Sequence, residues 1–75
     1  MDRITFESKI MGGKACIRGM RITVAHVINM VADGMTTPEI LKEHPDLEAE
    51  DIHQALQYAA AVVQEEVHPL TGRGV

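Results

Sequence analysis

One cysteine, no tryptophan and only two aromatic residues, Phe6 and Tyr58, leave this 75-residue chain few ways of holding itself together. Cys16 by itself cannot close an internal disulfide. Lys14 and Arg18 lie near it in sequence and would favour a reactive thiolate, yet a lone cysteine in such an apolar run is more often a small buried residue. The four histidines, His26, His44, His53 and His68, share no ligand spacing, so neither a metal nor another cofactor is expected. Gly12, Gly13 and Gly19 are not followed by the Gly-Lys-Ser/Thr that opens a phosphate loop. No nucleophile–base pair is legible, which argues against an enzyme. No apolar run approaches the roughly 20 residues that span a bilayer. Met-Asp-Arg-Ile-Thr has no signal-peptide character, so cytoplasmic residence is expected.

A chain this short buries only about 60% of the surface it exposes when unfolded. Its 45% hydrophobic content is enough to fold, but the core must come from Val, Ile, Leu, Met and Ala. Without disulfides or metal, self-association is the remaining aid, and a homodimer is expected.

The pattern divides a single domain, 1–75, into a β-like arm (1–22), a three-helix body (23–67) and a tail (68–75). Ile4-Thr5-Phe6 alternates like a short strand. Gly12-Gly13 marks a turn, and Ala15-Cys16-Ile17-Arg18 reads as a second strand. Thr23 is a good cap for a first helix, whose Val24, Val27, Ile28 and Val31 recur at helical spacing and which Asp33-Gly34 ends. Thr36 and Glu39 have capping-box spacing for a second helix with Ile40 and Leu41 as its buried pair, stopped by Pro45. A third helix is expected from about Glu48 to Glu66, with Asp46 and Glu48 competing for its cap. Its apolar stripe is Ile52, Ala55, Leu56, Ala59, Val62 and Val63. At 1.5 Å per residue it is about 28 Å long, more than a two-turn helix can cover. Its second half must meet a dimer partner or another protein, or else be covered by the first helix or the arm. Phe6, Tyr58, Val62, Val63 and Val67 are the candidates for a partner or dimer contact.

Charge is unevenly distributed. Residues 1–21 hold five Lys/Arg and two carboxylates, whereas residues 22–75 hold two Lys/Arg and nine carboxylates. A basic arm of this kind suits phosphate or an acidic partner, or is a solvated face. Three helices with a short second one have the layout of a helix-turn-helix. The start of the third helix is acidic, however, and offers no cation for phosphate. Lys14, Arg18 and Arg21 on the arm, with His53, Gln54 and Gln57 on the third helix, are the candidate DNA-binding residues.

The run Gly-Gly-Lys-Ala-Cys-Ile-Arg-Gly-Met-Arg-Ile-Thr-Val, residues 12–24, resembles the signature of the bacterial domain of unknown function 433 family. Ala32-Asp33-Gly34-Met35-Thr36, the segment from His44 to Ile52 and the run from Ala55 to Ala60 continue the likeness. Ala15, Met20 and Glu48 depart from the Pro, Thr and Ser/Thr common at those places. The resemblance implies a helix-turn-helix-like bundle with a short β arm. It further implies, through members similar to VapB-type antitoxins, a small regulator that binds a ribonuclease-like toxin of the PIN class, with operator DNA as a second expected partner. The alternative is a protein-interaction adaptor that does not bind DNA.

Overall fold

A computed structural model describes residues 1–66. Val67 and the tail, 68–75, lie outside the described residues. The expected class holds: three helices carry a short two-stranded antiparallel hairpin at their N-terminal side. The elements are β1 (Ile4–Phe6), a 3₁₀ turn (Met11–Gly13), β2 (Ala15–Ile17), α1 (Val24–Ala32), α2 (Thr37–Glu43) and α3 (Ala49–Glu66). No helix among the described residues is long and apolar enough to cross a membrane.

The hairpin pairs within the chain, in the register Ile4–Ile17, Thr5–Cys16 and Phe6–Ala15. Cys16 also bridges Thr23, which joins the hairpin to the start of α1. Between β2 and that bridge the chain reverses at Arg18-Gly19. Both residues have positive φ, 46° and 71°, and the Met20 N–H donates to the Ile17 carbonyl at 2.8 Å. A left-handed arginine costs about 1–2 kcal/mol, so something must hold it there. Gly19 is needed for its φ, since an added Cβ would meet only the tip of the exposed Glu7 side chain, at 3.0 Å, which can swing aside.

Helix boundaries follow local chemistry. Thr23 Oγ1 accepts from the His26 N–H and caps α1. At its other end the Gly34 N–H returns to Val31 O and the Met35 N–H to Met30 O, with Gly34 left-handed at φ 90°. That pair of bonds closes the last turn and brings Met35 against the core. The Thr36/Glu39 capping box forms as expected. His44 ends α2 before Pro45.

Ile17, Val24, Val27, Met30, Ile40, Leu47, Ile52 and Ala55 form the core. Two parts of the expected apolar stripes shift. On α1 the buried line is Val24, Val27 and Met30, with Ile28 and Val31 only half-buried. On α3 Leu56 and Val63 are 40% and 56% exposed, whereas Asp51 and Gln54 are buried. The hairpin causes this second shift. It packs on the α3 face carrying Asp51, Gln54, Ala55 and Tyr58, spaced i, i+3, i+4 and i+7, and turns Leu56 outward. Of the expected buried pair on α2, Ile40 is fully buried and Leu41 half-buried.

Ile40 touches the core from a helix of only seven residues. Ile40→Ala should therefore lower unfolding stability by about 2–5 kcal/mol. Thr36→Ala, which removes only a cap, should cost about 1 kcal/mol. Guanidinium denaturation of the two variants measures both.

Candidate functional site

The hairpin and α3 meet around one carboxylate. Asp51 is the third residue of α3 and is fully buried. Its Oδ1 accepts from Arg18 Nε and Arg3 NH1, each at 3.0 Å. Its Oδ2 accepts from Arg18 NH2 and from the Glu48 backbone N–H, each at 2.8 Å. Arg3 reaches on to Glu48 at 2.6 Å, and Arg18 NH2 also donates to the Asp46 carbonyl at 2.7 Å. The planar guanidinium of Arg18 thus grips Asp51 with two parallel bonds, an arrangement a lysine could not make. This fork holds the left-handed Arg18 in place. One turn further along α3, Gln54 accepts from the Arg3 N–H and donates to Asp2 and Glu50.

Asp51 also settles how α3 begins. Glu48 takes the cap position, but Asp51 closes the turn by accepting from the Glu48 N–H, the half of a capping box normally supplied by Glu or Gln. The expected competition between Asp46 and Glu48 side chains for this cap is not what forms.

Burial pushes the Asp51 carboxyl up, but the Arg18 fork, the Glu48 N–H and Arg3 outweigh it and hold it at about 2, against an ordinary 3.8. Hydrogen bonds to Glu48 and then Asp51 raise Arg3, and the fork to Asp51 raises Arg18. The basic arm therefore finds part of its acidic partner inside the chain.

The six candidate DNA-binding residues do not converge. Arg18 is committed to Asp51, and Gln54 is buried against the N-terminus. Lys14, Arg21, His53 and Gln57 are exposed, but Lys14 and Arg21 line different cavities. Among the described residues, neither Lys14 nor Arg21 forms an ion pair.

The partner candidates gather better. Phe6 stacks at a tilt on Tyr58, with ring centroids 5.8 Å apart, and stays 58% exposed. Tyr58, Val62 and Val63 line an open groove of about 410 Å³ between α1 and the second half of α3, with Val24, Ile28 and Ala59 completing its apolar wall. Lys14 is the charged side chain in that lining. The first helix and the arm thus cover the second half of α3 only in part. Cys16 is buried and unpaired, in keeping with a packing role.

Sequence reasoning missed Arg3, Glu48 and Asp51 as a unit, and the pairing of His26 with His44. Asp51 had a signal, since it shares a helical face with Ala55 and stands three residues after the cap. The histidines had none, being 18 residues apart on different helices.

The fold and clamp define a class: a small helical module braced by a hairpin through an arginine fork on a buried aspartate. The family described as "Protein of unknown function (DUF433)" matches residues 4–59, and the chain belongs to it. It is similar to the "Uncharacterized protein y4eO" of Sinorhizobium fredii (strain NBRC 101917 / NGR234), with 37% identity over 70 residues. The match covers 93% of this chain and 29% of that relative, so the chain spans under a third of the relative's length. No solved structure matches the chain.

Removing the buried carboxylate leaves two guanidinium groups without their shared acceptor. Asp51→Ala should cost about 3–5 kcal/mol in denaturant unfolding. Because the folded carboxyl titrates below its ordinary value, its contribution is complete above pH 3.8 and is lost as pH falls through about 2. Acid titration of the native chain should show that loss, and Asp51→Asn should lack it.

Proposed function

We propose that the chain is an antitoxin-like regulator that works by protein–protein contact and not by catalysis, with the α1/α3 groove as its docking surface. The groove itself carries the reading: an open apolar trough beside an exposed Val63, walled by Val24, Ile28, Tyr58, Ala59 and Val62. Its occupant is an amphipathic helix of a partner protein. Ala59 on α3 and Ala25 on α1 allow close approach of that helix. Lys14 selects an acidic flank on it. The partner named by the family resemblance is the PIN-type ribonuclease toxin, met in the cytoplasm.

Two observations weaken a DNA-first reading. Arg18 spends its guanidinium on Asp51 and Gln54 is buried, and the start of α3 presents Glu48 and Glu50 to solvent. Operator contact would then rest on Lys14, Arg21, His53 and Gln57, which the fold does not bring together. A second copy of the chain is the rival occupant, since α3 has its own Ala59-Ala60-Ala61 run that would allow close approach.

A photo-crosslinking residue in place of Val63, in the tagged chain expressed in its host, tests the reading. One protein should be trapped at an apolar helical peptide with acidic neighbours, and Lys14→Glu should weaken the pairing about tenfold, the scale of a single 1.4 kcal/mol contact. Crosslinks only to a second copy would replace the partner with a homodimer. Tight binding of duplex DNA at low salt, lost in a Lys14→Ala, Arg21→Ala double variant with no protein crosslink, would replace it with a DNA regulator.

A further inference from the structure

His26 and His44 come together at the other end of the body. His26 is the third residue of α1 and His44 caps α2. Their Nε2 atoms are 3.4 Å apart, their ring centroids 5.2 Å apart, and the rings nearly perpendicular at 88°. Both open onto a cavity of about 310 Å³ that Met11 and Arg21 also line.

Two explanations compete for this contact. A hydrogen bond between the rings would normally bring the nitrogens to 2.7–3.2 Å, shorter than observed. A shared zinc ion sets a different spacing. With Zn–N bonds of 2.0–2.1 Å at a tetrahedral angle, two coordinating nitrogens lie about 3.3–3.4 Å apart. The ring centre lies about 1.1 Å behind Nε2, so two rings aimed at one such ion have centres about 5.2 Å apart. Both observed separations agree with the second geometry, and the nitrogen separation also fits a long ring–ring hydrogen bond.

Local hydrogen bonds fix the backbone that carries both rings. The His26 N–H is held by Thr23 Oγ1 at 3.0 Å. The His44 N–H is held by the Ile40 carbonyl at 2.8 Å, and the His44 carbonyl accepts from Leu47 at 3.0 Å. The pair is therefore placed by two helix caps, one from Thr23 and one forced by the following Pro45.

We propose that His26 and His44 form a two-histidine site for a divalent late transition-metal ion, Zn²⁺ in particular. Imidazole nitrogens suit Zn²⁺, and this ion imposes no geometry of its own beyond ligand packing. No cluster of three or more His, Cys, Asp or Glu surrounds a common point among the described residues, so water completes the shell. The Met11 thioether lines the same cavity, whereas the Arg21 guanidinium on that rim opposes a dication and limits affinity. Bound metal would staple the start of α1 to the end of α2 and so favour the folded state.

The test is calorimetric titration of the full chain with ZnCl₂, read together with imidazole ¹⁵N spectra. The expected result is one equivalent per chain, with the His26 and His44 Nε2 resonances shifting and those of His53 and His68 unmoved. Zinc should also raise the thermal midpoint. His26→Gln and His44→Gln, both on the surface-facing rim, should each weaken binding at least about tenfold and abolish that rise, the scale seen when ligand geometry is lost. Equal shifts at all histidines, half an equivalent per chain, or no binding at millimolar zinc would each overturn the site.

Discussion

Asp51 is a carboxylate with no exposure, in a core too thin to tolerate an unpaired charge. Two arginines and one backbone N–H satisfy its oxygens, and each donor comes from a different part of the chain: Arg3 before β1, Arg18 after β2, and Glu48 at the start of α3. Much else depends on this junction. The fork holds Arg18 in a left-handed conformation that L-residues avoid, and that conformation sets the tight reversal leading β2 back to Thr23. The reversal sets where α1 begins. The same carboxylate starts α3. A hairpin of two three-residue strands would not persist alone, and here it is tied to a helix by charge-assisted bonds.

This junction changes what the charge pattern means. A basic N-terminal segment beside an acidic helix start looks, in the sequence, like an electrostatic footprint for nucleic acid. In the fold, Arg3 and Arg18 meet Asp51 and Glu48, so the strongest opposite charges neutralise each other across the hairpin–helix contact. The outward surface that remains distinctive is apolar. It lies where α3 outruns the elements that pack on it. That surface is the ground for the protein-binding role proposed above.

The helices were legible because their ends carry strong local signals. Thr23, Asp33-Gly34, the Thr36/Glu39 box and Pro45 act over three or four residues and need no tertiary help. The strands were legible from alternation and glycine. The face of α3 was not. Ile52, Ala55, Leu56, Ala59, Val62 and Val63 make a single apolar stripe on paper, yet the hairpin docks on the flank holding Asp51 and Gln54. A helical stripe says which residues are apolar, not which neighbour arrives, and here a buried ionic network decides the rotation of the helix. The site was legible in the same proportion. Tyr58, Val62 and Val63 gather as partner candidates, because unpaired apolar surface is visible in sequence. Arg18 is paired with Asp51 and Gln54 is buried, and nothing local tells an arginine that binds phosphate from one that binds a buried aspartate.

The central claim is that the Asp51 junction, and not the two short strands themselves, holds the hairpin on the helices. Native-state hydrogen exchange at the Ile17 and Arg18 amides, in the native chain and in Asp51→Asn, tests it most directly. These amides donate to Ile22 and Arg3 carbonyls within the hairpin region, away from α1 and α2. The account predicts that their protection collapses in the variant while amides inside α1 stay slow. Equal protection of Ile17 and Arg18 in both proteins would contradict it, and would place the stability of the hairpin in its own pairing and apolar packing.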